Sequence, residues 1–367
     1  MRSILVLLMA LAGACRFNFD AASGEGADAA PDGPPLPALV CSARVTSIPP
    51  VGANSDLAVT DRDEGYLAAW LDPSRGQTSI SSFDLGRNQV GSGQVRSVGA
   101  SVLAGLELRA ERLWMVTATQ SVQTLWSVAL DLSAATEVLR EDTVAGADPM
   151  GVGLTGSTLP IWSRGVPESP QLRLSYLTSA GEVAASAIYA TDGVVTALSS
   201  TDYVDHVHLA WREASGRCVG ADVNFLTVPT VMGATVISND CKELRIVSGP
   251  PPHDPLVTAW SSAAGIVQIQ YSGGTPPPAG GSEFHVTVGA GRAPRISFDG
   301  EAYWVAWLEG DVVQVARVDA RGRVTKSSLP GFPLVGDGAF ELVRRGISVD
   351  LVMLSETSLT FLRLCSP

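Results

Sequence analysis

The sequence predicts an all-β fold, a seven-bladed β-propeller closed by its own N-terminal strand, and three observations carry that reading. One stretch near the C-terminus spells out a small antiparallel sheet. Imperfect copies of its second strand recur along the chain at a near-constant interval. The last copy is one strand short, while an unassigned strand stands at the beginning.

The stretch runs from Pro294 to Lys326. A first strand, Pro294–Phe298, meets Asp299-Gly300, a second, Ala302–Leu308, meets Glu309-Gly310, and a third, Asp311–Asp319, meets Ala320-Arg321-Gly322 before a fourth. Acidic-Gly pairs supply the positive φ that tight hairpins need, so the strand limits are well marked. The second strand, Tyr303–Trp307, has relatives at Tyr66–Trp70, Val207–Trp211 and Leu256–Trp260, a shorter one at Pro160–Trp162, and degenerate ones at Leu113–Thr117 and Asp350–Leu354. The anchors stand at 70, 117, 162, 211, 260, 307 and 354, spaced 47, 45, 49, 49, 47 and 47 apart. That period, with four short strands per unit, marks a propeller. Alternation places Tyr66, Ala68 and Trp70 on one face and Leu67 and Ala69 on the other. Both faces are apolar, as sheets stacked face to face require. Ala beside Trp, repeated at Ala210, Ala259 and Ala306, pairs small with large between wedge-shaped blades.

In chain order, residues 1–15 read as a secretory signal: Arg2, an apolar run from Ile4 to Leu11, then small residues up to Cys15. The run is too short to span a membrane. Leu11-Ala12-Gly13-Ala14-Cys15 resembles the lipobox of bacterial lipoproteins, departing from it at Ala12, where Leu is commonest. The resemblance implies an acylated Cys15, and lipid anchoring is favoured over plain cleavage near Gly13-Ala14. Arg16, in place of Asp after the Cys, leans towards the outer membrane; the leaflet side stays open. Residues 16–39 are rich in Ala, Gly and Pro without strand period and are expected to be a disordered tether. Such a tether reaches on the order of 25–30 Å as a coil and about 70 Å as polyproline II.

The domain proper is expected over 40–367. Its seventh unit supplies three strands, about Glu341–Val343, Val349–Leu354 and Ser358–Leu364, and Leu39–Ile48 is assigned as the missing fourth, joining the ends of the ring by backbone hydrogen bonds. Apart from Cys15 the chain holds Cys41, Cys218, Cys241 and Cys365, an even number that suits two disulfides in an exported protein. The repeat places Cys218 and Cys241 on outer strands of unit four and Cys41 and Cys365 on those of unit seven, so Cys218–Cys241 and Cys41–Cys365 are the expected pairs. Chain entropy sets ceilings of about 3 and about 5 kcal/mol on their contributions.

A net charge of −12, without a Lys/Arg run, argues against nucleic acid and against anionic lipid as partners. His206 and His208 share one strand face, with Asp205 beside them and His253 just ahead of the next unit's equivalent strand. They are read as filling a blade interface, and no metal is expected. Asp61-Arg62-Asp63-Glu64-Gly65 lacks the later ligands of a calcium loop and reads as an acidic turn. Ser297-Phe298-Asp299-Gly300 with Trp304 resembles the Asp-box of sialidase-type propellers, but its Gly comes one position early and it falls between first and second strands. It too is read as a hairpin turn. Arg292, Arg295, Arg317, Arg344 and Arg345 are not gathered by anything in the sequence into a sialidase triad. There is no G-x-S-x-G, P-loop or H-E-x-x-H.

Arg295–Trp307 best carries a resemblance to divergent propeller-repeat lipoproteins of Gram-negative bacteria, with weaker versions over most of 57–364. It implies a ring-shaped envelope scaffold. The expectation is therefore a non-enzymatic, monomeric lipoprotein without cofactor or catalytic residues, bound to the membrane through its lipid and taking a protein or glycan on one face of the ring. The alternative is a glycan hydrolase or lyase using channel-facing carboxylates. Three or more ionisable groups converging in the channel with shifted pKa values would favour the alternative.

Overall fold

The computed structural model describes residues 39–62, 64–97, 99–109, 111–119, 122–142, 152–155, 161–166, 168–203, 206–224, 228–248, 256–272, 284–319 and 321–365, with side chains except at 142, 152–155, 161–162, 202–203, 248, 256, 272 and 284. The expected signal, Cys15 and the expected tether up to residue 38 lie outside them, as do Asp63, Asp205 and His253. Among the described residues there is no helix, and so none long and apolar enough to cross a membrane.

The chain forms seven four-stranded antiparallel sheets, a seven-bladed β-propeller. Blades one to six each run inside to outside in chain order; blade six, for example, is Arg292–Phe298, Ala302–Glu309, Val312–Asp319 and Val324–Leu329. Every anchor lies on a second strand, from Trp70 on Gly65–Asp72 to Leu354 on Ser348–Leu354; the Trp162 side chain is outside the described set. The turns are those the sequence encodes, with Gly300 and Gly310 of the acidic-Gly pairs and Gly322 of Ala320-Arg321-Gly322 all at positive φ. Asp299 Oδ1 accepts the backbone N–H groups of Glu301 and Ala302, both at 2.7 Å, and its Oδ2 accepts Trp304 Nε1–H at 2.7 Å. The Asp-box-like residues are therefore a self-satisfied hairpin turn.

Blade packing follows the small-large pattern. Trp260 of blade five shares a buried cluster with Ala210 and Cys218 of blade four. Trp307 of blade six does so with Val257 and Ala259 of blade five. Trp211 packs with Leu172 and Leu174 of blade three, and Trp70 with Leu354 and Phe361 of blade seven. These four anchor Trp residues press on the preceding blade, and for Trp260 and Trp307 an alanine of that blade, Ala210 or Ala259, makes room. Trp307 also lies on Gly289, where an added Cβ would meet its ring at 2.6 Å, while its Nε1–H donates to Ala290 O at 2.9 Å. A buried aromatic of this size is worth about 3–5 kcal/mol over alanine.

Blade seven is completed by the N-terminus. Val40–Ser47 pairs antiparallel with Ser358–Leu364, from Val40↔Leu364 to Ser47↔Ser358. Leu39 and Ile48, flanking the strand, are both buried. Cys41 and Cys365 stand at disulfide distance across this join, and Cys218 and Cys241 do so in blade four, with Cα–Cα separations of 5.9 Å in each pair.

The join also encloses a polar centre. Asp350, on the second strand of blade seven, is 0% exposed. Its Oδ2 accepts the Tyr66 hydroxyl of blade one and Arg87 Nε–H, the latter at 3.3 Å. Its Oδ1 accepts Arg87 Nη2 at 3.4 Å and Arg363 Nε at 3.1 Å. Arg87 Nη1 reaches Ser42 Oγ of the N-terminal strand at 3.1 Å. First blade, last blade and first strand thus meet at one carboxylate. Burial, then the Asp350 hydrogen bond, push the Tyr66 phenol upward.

Candidate functional site

The innermost strands ring a channel, and one end of it opens into a cavity of about 910 Å³. Innermost strands of six blades contribute described lining side chains, at the N-terminal ends of those strands. The lining mixes residues of the blade-interface clusters, Leu57, Leu103, Leu198 and Leu244 among them, with polar and charged groups.

Several charged groups occupy the wall. Asp56, of blade one, accepts the Leu57 N–H on Oδ1 at 3.2 Å and the Leu103 N–H of blade two on Oδ2 at 3.0 Å. Gly338 lies against it so closely that a Cβ there would meet Asp56 Oδ1 at 2.0 Å. Arg295, of blade six and 6% exposed, pairs through Nε with Glu341 Oε2 of blade seven at 3.2 Å and lies 5.1 Å over the Phe340 ring. Arg245, of blade five, donates from Nη1 to Leu244 O at 3.1 Å. Glu243 Oε2 accepts Ser261 Oγ at 2.8 Å and the Ala293 N–H at 2.6 Å, tying blade five to blade six. At the mouth, Arg292 grips Asp337 with Nε at 2.7 Å and Nη2 at 2.9 Å.

Burial pushes the Asp56 carboxyl upward against the opposing pull of Leu103 N–H, Arg295 and Arg245. Burial, then the neighbouring Arg295 charge, push Arg245 down to about 10. Asp337 is held low by its hydrogen bond from Arg292. Three lining groups are therefore shifted, but only Asp56 and Arg245 lie in the interior, and the third belongs to a rim ion pair. None of these was singled out from sequence except Arg295 and Arg292, which appeared there only as ungathered arginines. The structure brings Arg295 to the channel wall and Arg292 to its rim. Arg345 lies instead 5.7 Å over the Tyr66 ring at the seam, and Arg344 lies 5.9 Å over Phe298.

Asp56 yields a pH prediction. Its folded-state pKa lies above the unfolded 3.8, so the native chain holds this proton more tightly than the unfolded one. Its contribution to stability is complete below the unfolded value and is lost as pH rises through the folded value. Asp56→Asn is expected to remove that part of the decline, so urea midpoints from about pH 4 to about pH 7 fall less steeply in the variant than in the parent. Parallel curves would refute the assignment.

The histidines form a separate cluster on blade four, towards the opposite rim. His206 and His208 sit on the strand His206–Glu213 with ring centroids 4.9 Å apart, edge to face. Across the hairpin, register pairs His208 with Asp222 and His206 with Asn224. His208 Nδ1 and Asp222 Oδ1 are 2.6 Å apart, and that hydrogen bond holds the Asp222 carboxyl below the usual range. Asp222 was missed in the sequence; counting back from the Glu213–Cys218 turn would have found it. His285 lies elsewhere, stacked on Trp260 and bonded to Gln268 at 2.7 Å.

No family model matches the chain, and no curated protein matches it. Solved structures do. BBS1N, in complex with ARL6DN, is 10% identical over 89% of this chain and 96% of its own, with a TM-score of 0.55. The WD40 domain of Toxoplasma gondii coronin is 12% identical over 90% of this chain and 88% of its own, with a TM-score of 0.53. Saccharomyces cerevisiae Sqt1 is 11% identical over 82% of each chain, with a TM-score of 0.53. At these identities the likeness is one of fold: the chain is built like a WD40-type β-propeller.

Proposed function

We propose that the chain is a non-enzymatic binding scaffold of the cell envelope, lipid-anchored through Cys15 at the outer membrane, whose propeller takes a protein or glycan at the channel mouth. The observation that carries this reading is the state of the channel carboxylates. Asp56, Glu243 and Glu341 are each already engaged by backbone N–H groups or a guanidinium. The result is a preorganised wall of donors and acceptors suited to recognition. The tether and lipobox-like start support the location. BBS1N offers a parallel, since that propeller is in complex with ARL6DN.

The test is affinity capture from envelope extracts on the immobilised full chain. A stable protein or polysaccharide should be recovered, and Arg245→Ala with Arg295→Ala should weaken its retention at least ~10-fold, the scale of losing one central anchor. The second reading, a glycan hydrolase or lyase, rests on Asp56, whose raised pKa resembles that of a general acid. Turnover of envelope polysaccharide that Asp56→Asn abolishes, with nothing captured, would replace the first reading by the second.

A further inference from the structure

We propose that His206, His208 and Asp222 form a binding site for a divalent transition ion of the zinc class. Among the described residues this is the one group of three or more potential metal ligands: a donor atom from each of the three lies within 4.8 Å of the others. The donors around a tetrahedral zinc with bonds of 2.0–2.1 Å are about 3.4 Å apart. Side-chain rotation alone covers the difference.

The backbone is already rigid where it needs to be. The two histidines are on the second strand of blade four and Asp222 on the third, and both strands have hydrogen-bonded neighbours on either side. Donors at i and i+2 of one strand, plus the cross-strand partner of the second, converge on one face by β geometry. His208 is 1% exposed, whereas the Asp222 side chain is 44% exposed, so the cluster is anchored inside and open outside. Two imidazoles and a carboxylate suit zinc, cobalt, nickel or copper and not the all-oxygen shells of calcium or magnesium. Only neutral imidazoles and an ionised carboxylate coordinate, with the His208 N–H then on Nε2, so protons compete with the ion and binding strengthens with pH. Three protein ligands leave a fourth position for water.

The test is titration of untagged full-length chain with Co²⁺, read from its visible d–d bands, with Zn²⁺ as competitor. One equivalent should produce the intense bands of a four-coordinate ion, and Zn²⁺ should erase them. His206→Gln and Asp222→Asn, the less buried positions, should each weaken binding at least ~100-fold, beyond the 10–100-fold typical of outer-shell changes. His285→Gln should bind as the parent does. Near-UV circular dichroism confirms that each variant is folded. Absence of the bands, or their survival in either His206→Gln or Asp222→Asn, overturns the site and leaves His208–Asp222 as a structural hydrogen bond.

Discussion

Asp350→Ala is expected to lower stability by about 3–5 kcal/mol, the cost of leaving a buried cation without its partner. The carboxylate is fully buried and is bracketed by Tyr66, Arg87 and Arg363. Removing it strands the Arg87 guanidinium, itself only 7% exposed, and leaves the Tyr66 hydroxyl without its acceptor. Arg87 cannot easily swing out. It sits in the turn between the third and fourth strands of blade one with φ at 66°, a left-handed conformation that few non-glycine residues adopt. Its backbone carbonyl is held by Thr46 Oγ1 of the N-terminal strand at 3.1 Å. Asp350→Asn keeps the shape and loses the charge, so it should fall between parent and alanine variant. Replacing Asp350 and Arg87 together by leucine should recover part of the loss, because an apolar pair leaves no charge uncompensated. Denaturant midpoints at constant m-value give the comparison. An Asp350→Ala cost within about 1 kcal/mol of zero would show that water reaches this centre and that the ring is not closed on it.

The ring itself was legible because it rests on repetition. Ala-Trp pairs on second strands and acidic-Gly turns are local features, and each blade interface must reuse them. The channel was not legible for the opposite reason. Asp56, Arg245, Arg295 and Glu341 come from four blades and stand at unlike distances in sequence from their anchors, so the order of residues does not signal that they meet, although hairpin register puts Arg245 opposite Ala259 and Arg295 opposite Ala306, the same place in two blades. Asp350 is intermediate. It opened the degenerate copy Asp350–Leu354, where a charge leading an apolar run already breaks the pattern of the other anchors. A carboxylate on a strand buried from both sides requires a counter-charge, and the seam between first and last blades is where the sequence would have had to look. The histidine cluster shows the same division. His206 and His208 were visible as a same-face pair, but Asp222 joins them only through hairpin register.

The second large effect concerns the covalent side of the same seam. Mutating Cys41 and Cys365 together to serine should destabilise the chain by up to about 5 kcal/mol, against up to about 3 kcal/mol for Cys218 and Cys241, because chain entropy scales with the logarithm of the closed loop. The two pairs span 324 and 23 residues. The difference should be spatial as well as energetic. Without the Cys41–Cys365 link, Val40–Ser47 is held by its ladder to Ser358–Leu364, by its side-chain contacts and by Arg87. An eight-residue strand with five exposed side chains buries too little to resist opening on its own. Hydrogen exchange should therefore accelerate over 40–47 and 358–364 and spread to the Asp350 strand, while blade four keeps its protection. Loss of Cys218–Cys241 should instead loosen the outer strand Thr230–Ser238 of blade four. Equal losses from the two double variants, or a non-reduced peptide map with any other linkage, would mean that the ends of the chain are not what holds the circle shut. The burden would then fall on the seven apolar interfaces alone, and Asp350→Ala should lose its large cost as well.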